Sequence, residues 1–180
     1  NNYEDLKVYA YLNTGNIFEK ANRLAEALDY TLNSYQLALL KNDSLMIGSA
    51  LNNLGNIYFK LRKYKDAIKS YRKSKVFVIK ENDNQTLTEG YIGLAKSYKT
   101  INKNDSALYF AKQAYFISYQ NGLLDNALDA SKLLTTLYKG SKNYDSAFMY
   151  QTNMVLLNDS IRGVEKIKQL ESMSIQEQLR

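Results

Sequence analysis

The chain has 180 residues, 45% of them hydrophobic and 23% charged, and it contains no Cys, His, Pro or Trp. Those absences exclude a disulfide framework, thiolate or imidazole metal sites and His-based triads; zero Pro with only eight Gly argues for helices over a turn-rich β fold. The net charge of +6 is concentrated, because nine basic residues and one acid (Asp66) lie between Phe59 and Lys80, leaving the remainder at −2. No run approaches the roughly 18 apolar residues of a membrane span, and the first residues do not read as a signal peptide.

In chain order, one pattern returns every forty residues. Asn13-Thr14-Gly15-Asn16-Ile17-Phe18 recurs as Asn53-Leu54-Gly55-Asn56-Ile57-Tyr58. The same register places small residues at Gly15, Gly55, Ala95 and Thr135, and aromatics at Phe18, Tyr58, Tyr98 and Tyr138. A second small position holds at Ala27, Ala67, Ala107 and Ala147. Within each unit the apolar spacing predicts two helices. In the second unit, Leu51, Leu54, Ile57/Tyr58 and Leu61 mark one stripe, and Ala67/Ile68, Tyr71, Lys75/Val76 and Ile79 mark the next. Breaks rich in Asn, Asp and Ser, the residues that cap helix N-termini, fall at 41–44, 81–84, 121–122 and 158–160. The boundaries expected are four helix pairs at about 4–41, 44–81, 84–121 and 123–158, then a terminal helix over 159–180. The small residues imply close approach by a neighbouring element, since a mid-helix Gly costs about 1 kcal/mol of propensity.

Leu54, Gly55, Tyr58, Tyr64, Ala67, Tyr71 and Ser74 together resemble the tetratricopeptide repeat, and the likeness extends over residues 4–158. The period of forty departs from the family's usual thirty-four or so. The family's closing Pro is missing, and Leu51 or Tyr91 stands in place of its first-helix Trp. The resemblance implies an all-α fold: a right-handed α-solenoid of four helix pairs plus a C-terminal helix. It implies a protein- or peptide-interaction module rather than an enzyme, with no cofactor and no catalytic or metal-binding residues.

After Ser160 the forty-residue period stops, while Ile161, Val164, Ile167, Leu170 and Met173 continue an apolar spacing of three. One reading is a cap on the open end of the array; the other is a connector. The run from Asn158 through Glu171 resembles the segment leaving the repeats of Bacteroidetes tetratricopeptide sensor proteins. That likeness implies a periplasmic sensor, anchored in the membrane, with a histidine kinase or DNA-binding output module and a homodimer formed through the C-terminal helix. The alternative is a cytoplasmic peptide-binding regulator like the tetratricopeptide quorum receptors, or a general scaffold.

In such arrays the first helix of each pair lines the concave face. By that register the candidate binding residues are Asn13, Asn16, Asn52, Asn53 and Asn56, with Lys96, Lys99, Lys132 and Thr136 further along. Asn offers both a donor and an acceptor, which suits holding an extended peptide by its main chain. A carboxylate clamp of the co-chaperone type is excluded: at its five positions stand Leu12, Asn16, Asn53, Glu89 and Gly93, with all three basic partners missing. Asp125 and Asp129, one turn apart, form the nearest approach to an acid–base pair and read as a solvated face. The basic stripe Lys65, Lys69, Arg72/Lys73 and Lys80 falls on the outward side and reads the same way. No nucleic-acid partner is expected, because the Tyr residues are accounted for by packing. The pairs Asp43-Ser44, Asp105-Ser106, Asp145-Ser146 and Asp159-Ser160 read mainly as helix caps.

Overall fold

The structure, a computed structural model, describes residues 2–178, apart from the side chains of 2–5, 174, 175, 177 and 178. Leu179 and Arg180, the last residues of the expected terminal helix, lie outside them. Within that range the chain forms α1 (Asn2–Lys20), α2 (Leu24–Lys41), α3 (Ser44–Lys60) and α4 (Tyr64–Lys80). It continues as α5 (Asn84–Thr100), α6 (Asn104–Gln120), α7 (Leu124–Gly140) and α8 (Tyr144–Gln178), with no strand among the described residues. This is an α-solenoid of antiparallel helix pairs.

The turns explain the period. A left-handed residue recurs at Asn22, Asn42, Arg62, Asn82, Asn102, Gly122 and Lys142, with φ between 53° and 66°, so each forty-residue unit is two twenty-residue halves. After each, a backbone N–H reaches back across the last helical turn, as in Arg23 N to Phe18 O (2.8 Å), Lys63 N to Tyr58 O (2.9 Å) and Asn143 N to Tyr138 O (3.0 Å). These bonds satisfy carbonyls that a helix end would otherwise leave unpaired. Asn and Gly tolerate the left-handed region, whereas the Cβ atoms of Arg62 and Lys142 are strained there. Lys142 is exposed. Lys142→Gly is therefore expected to stabilise the fold by about 0.5–1 kcal/mol, net of the entropy glycine adds to the unfolded chain. A chemical denaturation midpoint that fails to rise would show the turn to be unstrained. At helix starts, Asp43 accepts from Met46 N and Asp83 from Thr86 N (both 3.0 Å), and Asn143 accepts from Ser146 N (3.1 Å). Asp105 and Asp145 stand in the first turns of α6 and α8 instead.

Ala27, Ala67 and Ala107 are fully buried and Ala147 nearly so, where the two helices of each pair meet. The small position of the first helix does more than admit a backbone. At Gly15 a Cβ would meet Thr31 of α2, side chain and backbone together. At Gly55 it would lie 2.5–2.8 Å from three atoms of the Tyr71 ring, so the space is filled by an aromatic side chain. Cations on second helices cover the ring of the following unit: Arg72 lies 5.8 Å from the Tyr98 centroid and Lys112 5.6 Å from that of Tyr138, forty residues on.

The break expected at 158–160 is absent. α8 runs unbroken through Asn158-Asp159-Ser160, and the Ser160 hydroxyl donates to Leu156 O at 2.9 Å inside the helix instead of capping a new one. The separate terminal helix is thus the distal half of the fourth pair's second helix. Ile161 packs beside Ala127, Leu128 and Leu157. Beyond it Val164, Ile167, Leu170 and Met173 are 43–59% exposed. Truncation after Gln169 is expected to leave the thermal midpoint within about 1 °C, since exposed residues without such packing contribute little. A clear drop would make the distal helix structural.

Neighbouring first helices touch one another (α1 with α3, α3 with α5, α5 with α7), whereas among the described residues no two second helices do. The solenoid therefore curves with α1, α3, α5 and α7 on its inner, concave side.

Candidate functional site

Two adjoining hollows lie on that concave side. The first, about 330 Å³, is lined by Glu19 of α1, Asn56, Phe59 and Lys60 of α3, Tyr71 of α4, Glu89, Ile92, Gly93 and Lys96 of α5, and Asn126 and Asp129 of α7. The second, about 390 Å³, continues toward the C-terminal ends of α5 and α7, between Phe59, Lys96, Lys99, Thr100, Asp129, Lys132, Leu133 and Thr136. Phe59, Lys96 and Asp129 belong to both, so the two form one trough about the size of a small-ligand or peptide-side-chain pocket.

Tyr71 builds its floor. The ring starts on α4 and passes between Gly55 of α3 and Gly93 of α5, and its hydroxyl donates to Asn56 Oδ1 at 2.7 Å. That bond holds the Asn56 carboxamide with its NH2 group available to the trough. Across from it, Asn126 Nδ2 donates to Thr88 Oγ1 at 2.6 Å. The Thr88 hydroxyl proton already goes to Asn84 O and Gln85 O, both at 2.9 Å, so Thr88 must accept here and Asn126 Oδ1 is the oxygen left for a ligand. One wall thus offers a donor and the other an acceptor, the pair of groups an extended main chain requires.

Charge is arranged along the trough. Glu19 is held by Lys60 at 2.7 Å, and Asp129 by Lys132 at 3.1 Å. Lys139 reaches Gln151 Oε1 at 3.2 Å. The ammonium groups of Lys96 and Lys99 make no hydrogen bond or ion pair with any described residue. Glu89 has only amides on it, Gln85 Nε2 at 2.6 Å and Asn52 Nδ2 at 3.3 Å. Burial pushes the Glu89 carboxyl above its usual range; the Gln85 bond opposes this, the nearby Asp83 charge adds to it, and the Lys20 charge works against it.

Of the residues placed on this face by the sequence, Asn56, Lys96, Lys99, Lys132 and Thr136 line the trough. Asn16 and Asn53 are bonded to each other, Oδ1 to Nδ2. Asn52 is buried behind Glu89, and Asn13 is exposed on α1 away from both hollows. The sequence reading missed Phe59, Asn126 and the Tyr71 hydroxyl. Gly93 was the available signal for Tyr71, a second helical glycine two positions before the repeat's small residue.

Tyr71 also ties the site to alkaline stability. Burial, with the Glu19 charge adding to it, raises its phenol far above the ordinary value. The unfolded chain releases this proton near pH 10, so the stabilisation is complete below that pH and is lost as pH rises beyond it. Tyr71→Phe should shift the alkaline unfolding midpoint upward while weakening the hold on Asn56. An unchanged alkaline midpoint would assign the transition to other tyrosines.

Residues 48–75 match the sequence profile of the tetratricopeptide repeat. The same pair of helices occurs four times along the chain, so the fold is a solenoid of the tetratricopeptide-repeat type. None of the curated proteins matches its sequence. Among solved structures it is similar to aspartyl phosphate phosphatase F from Bacillus subtilis (TM-score 0.80, 14% identity), covering 92% of this chain and 43% of that one. It is also similar to the apo form of RapI (TM-score 0.76, 12% identity, 87% and 44% covered). A third similar structure is a signal-transduction ATPase with numerous domains and a tetratricopeptide repeat sensor, from Pyrococcus horikoshii (TM-score 0.74, 16% identity, 91% and 25% covered). The chain therefore spans less than half the length of each, and at these identities the likeness concerns the fold.

Proposed function

We propose that this chain is the ligand-binding part of a bacterial signal-transduction protein, non-enzymatic in itself, which captures an extended peptide segment in the concave trough. The observation that carries this is the facing pair of half-tied amides. Asn56 and Asn126 both line the first hollow, and each carboxamide is fixed by one internal hydrogen bond that leaves its other end, the Asn56 NH2 and the Asn126 carbonyl, without a partner among the described residues. Each repeat of a solenoid contacts only its neighbours, so small rotations on binding add along the array. The exposed stripe Val164, Ile167, Leu170 and Met173 at the end of α8 suits pairing with a second copy, which would pass such a change to an output module. In this reading the chain works on the periplasmic side of a membrane-anchored protein, and the partner of the trough is a protein or peptide. The described helices include none long and apolar enough to cross a membrane.

A second reading is a cytoplasmic regulator that takes its peptide in the same trough. Both readings share the trough and differ in compartment. The test of the trough is selection from a displayed random heptapeptide library. Peptides are expected to be enriched on the wild-type chain and not on Asn56→Ala/Asn126→Ala, while Lys69→Ala/Lys73→Ala on outward-facing α4 retains them. Equal enrichment on the trough variant would refute the reading.

A further inference from the structure

Glu89 is the one carboxylate of the trough with no cation within ion-pair distance among the described residues. Its neighbours Gln85 and Asn52 supply two N–H donors, and a carboxylate has about four acceptor positions, so part of it is unused and faces the first hollow. Lys20 is the cation whose charge favours the ionised form, and it makes no ion pair with Glu89. The Oδ1 of Asn52 is buried without a partner. A glutamine at 89 would keep the bond from Gln85, but turning the Asn52 amide over to meet its NH2 group would only move the orphan from Oδ1 to Nδ2. A raised carboxyl pKa means that its stabilising contribution is present below the ordinary carboxylate value and lost as pH rises, so the ionised form is a burden at neutral pH. A carboxylate with unused acceptor positions facing the hollow, and making no ion pair with Lys20, points to an external counter-charge.

Along the same helix face stand Lys96 and Lys99, the ammonium groups without partners. They follow Glu89 by seven and ten residues, hence by about 10.5 and 15 Å along α5. An extended peptide advances about 3.3 Å per residue, so those distances correspond to roughly three to five positions. Between the ends, Phe59 and Ile92 give an apolar floor, and Asn56 and Asn126 give main-chain contacts.

We infer that the trough selects a dipolar peptide, with a basic residue seated against Glu89 and an acidic residue three to five positions away against Lys96 and Lys99. The inference rests on the trough being the peptide site. The experiment sequences the heptapeptides recovered on the wild-type chain and measures binding of the most enriched one, fluorescently labelled, to variants. The recovered set should pair a Lys or Arg with an Asp or Glu three to five positions apart. Glu89→Gln should weaken that peptide about ten- to hundredfold, as expected for loss of charge-assisted hydrogen bonds. Its thermal midpoint at neutral pH should equal or exceed that of the wild type, which separates loss of a contact from loss of the fold. Lys96→Gln/Lys99→Gln should weaken it comparably, and exchanging the peptide's acidic residue for its amide should then cost nothing further. Peptides that need Asn56 and Asn126 but carry no paired charges would overturn this inference and leave the trough standing. Peptides indifferent to every trough substitution, or no enrichment at all, would overturn both.

Discussion

Gly93→Ala is expected to destabilise the protein by about 3 kcal/mol, the upper part of the range for overpacking a filled core. A Cβ at this position would fall within 2.6 Å of both Cε1 and Oη of Tyr71. Neither side can yield easily. Gly93 is in the middle of α5, and the opposite face of the ring rests on Gly55 of α3, where a Cβ would lie within 2.8 Å of three ring atoms. The ring is thus gripped between two helix backbones, and relief requires separating α3 from α5 or turning the tyrosine out of the core. The physical cause is identified by a second substitution. Gly93→Ala placed in a Tyr71→Leu background should cost less than about 1 kcal/mol, a non-additivity of the size seen for residues in direct contact. Additive behaviour would show that the glycine is needed for some other reason, such as helix geometry.

Tyr71→Ala is expected to cost about 3–5 kcal/mol, as for other large aromatic truncations in packed cores. The side chain is 2% exposed and belongs to the largest core cluster, together with Ala67, Val78, Leu94 and Ala95. Its neighbours are helices whose glycines cannot move in to fill the space, so the cavity persists. The position also joins units: the ring touches α3 of its own pair and α5 of the next. Removing it should loosen the second pair from the third, and denaturation should lose cooperativity, as happens in arrays whose interfaces weaken. Tyr71→Phe separates the roles, keeping the packing while releasing Asn56. A Tyr71→Ala protein that melts like the wild type would mean that the ring is dispensable to the stack.

The architecture is readable because helix packing imposes a period on sequence. Ala27, Ala67, Ala107 and Ala147 recur because each must lie where two helices cross, and the Phe18 to Tyr138 series recurs because each ring fills the same space beside that crossing. The trough is less legible because its chemistry depends on offsets between helices. Asn16 is bonded to Asn53, thirty-seven residues on, and Asn52 reaches Glu89 by the same displacement. The forty-residue register aligns Asn16 with Asn56 and hides both pairings. The start of the terminal helix misleads for a local reason: Ser and Asp read as caps in one dimension, while Ser160 finds its acceptor one turn back in a continuing helix. Asn126 gives no signal of its own, since its orientation is fixed only by the donor that Thr88 has already given away.

The concave trough as the ligand site is tested most directly by the side-chain amide and backbone NMR spectrum of the intact chain, titrated with the most enriched heptapeptide. Binding there should shift the Asn56 and Asn126 side-chain amides and the backbone amides of Phe59, Ile92 and Lys96, leaving Lys69, Lys73 and Phe116 on the outward helices unmoved. Shifts confined to α4 and α6, or to the distal half of α8, with the Asn56 and Asn126 amides unchanged at saturation, would contradict it.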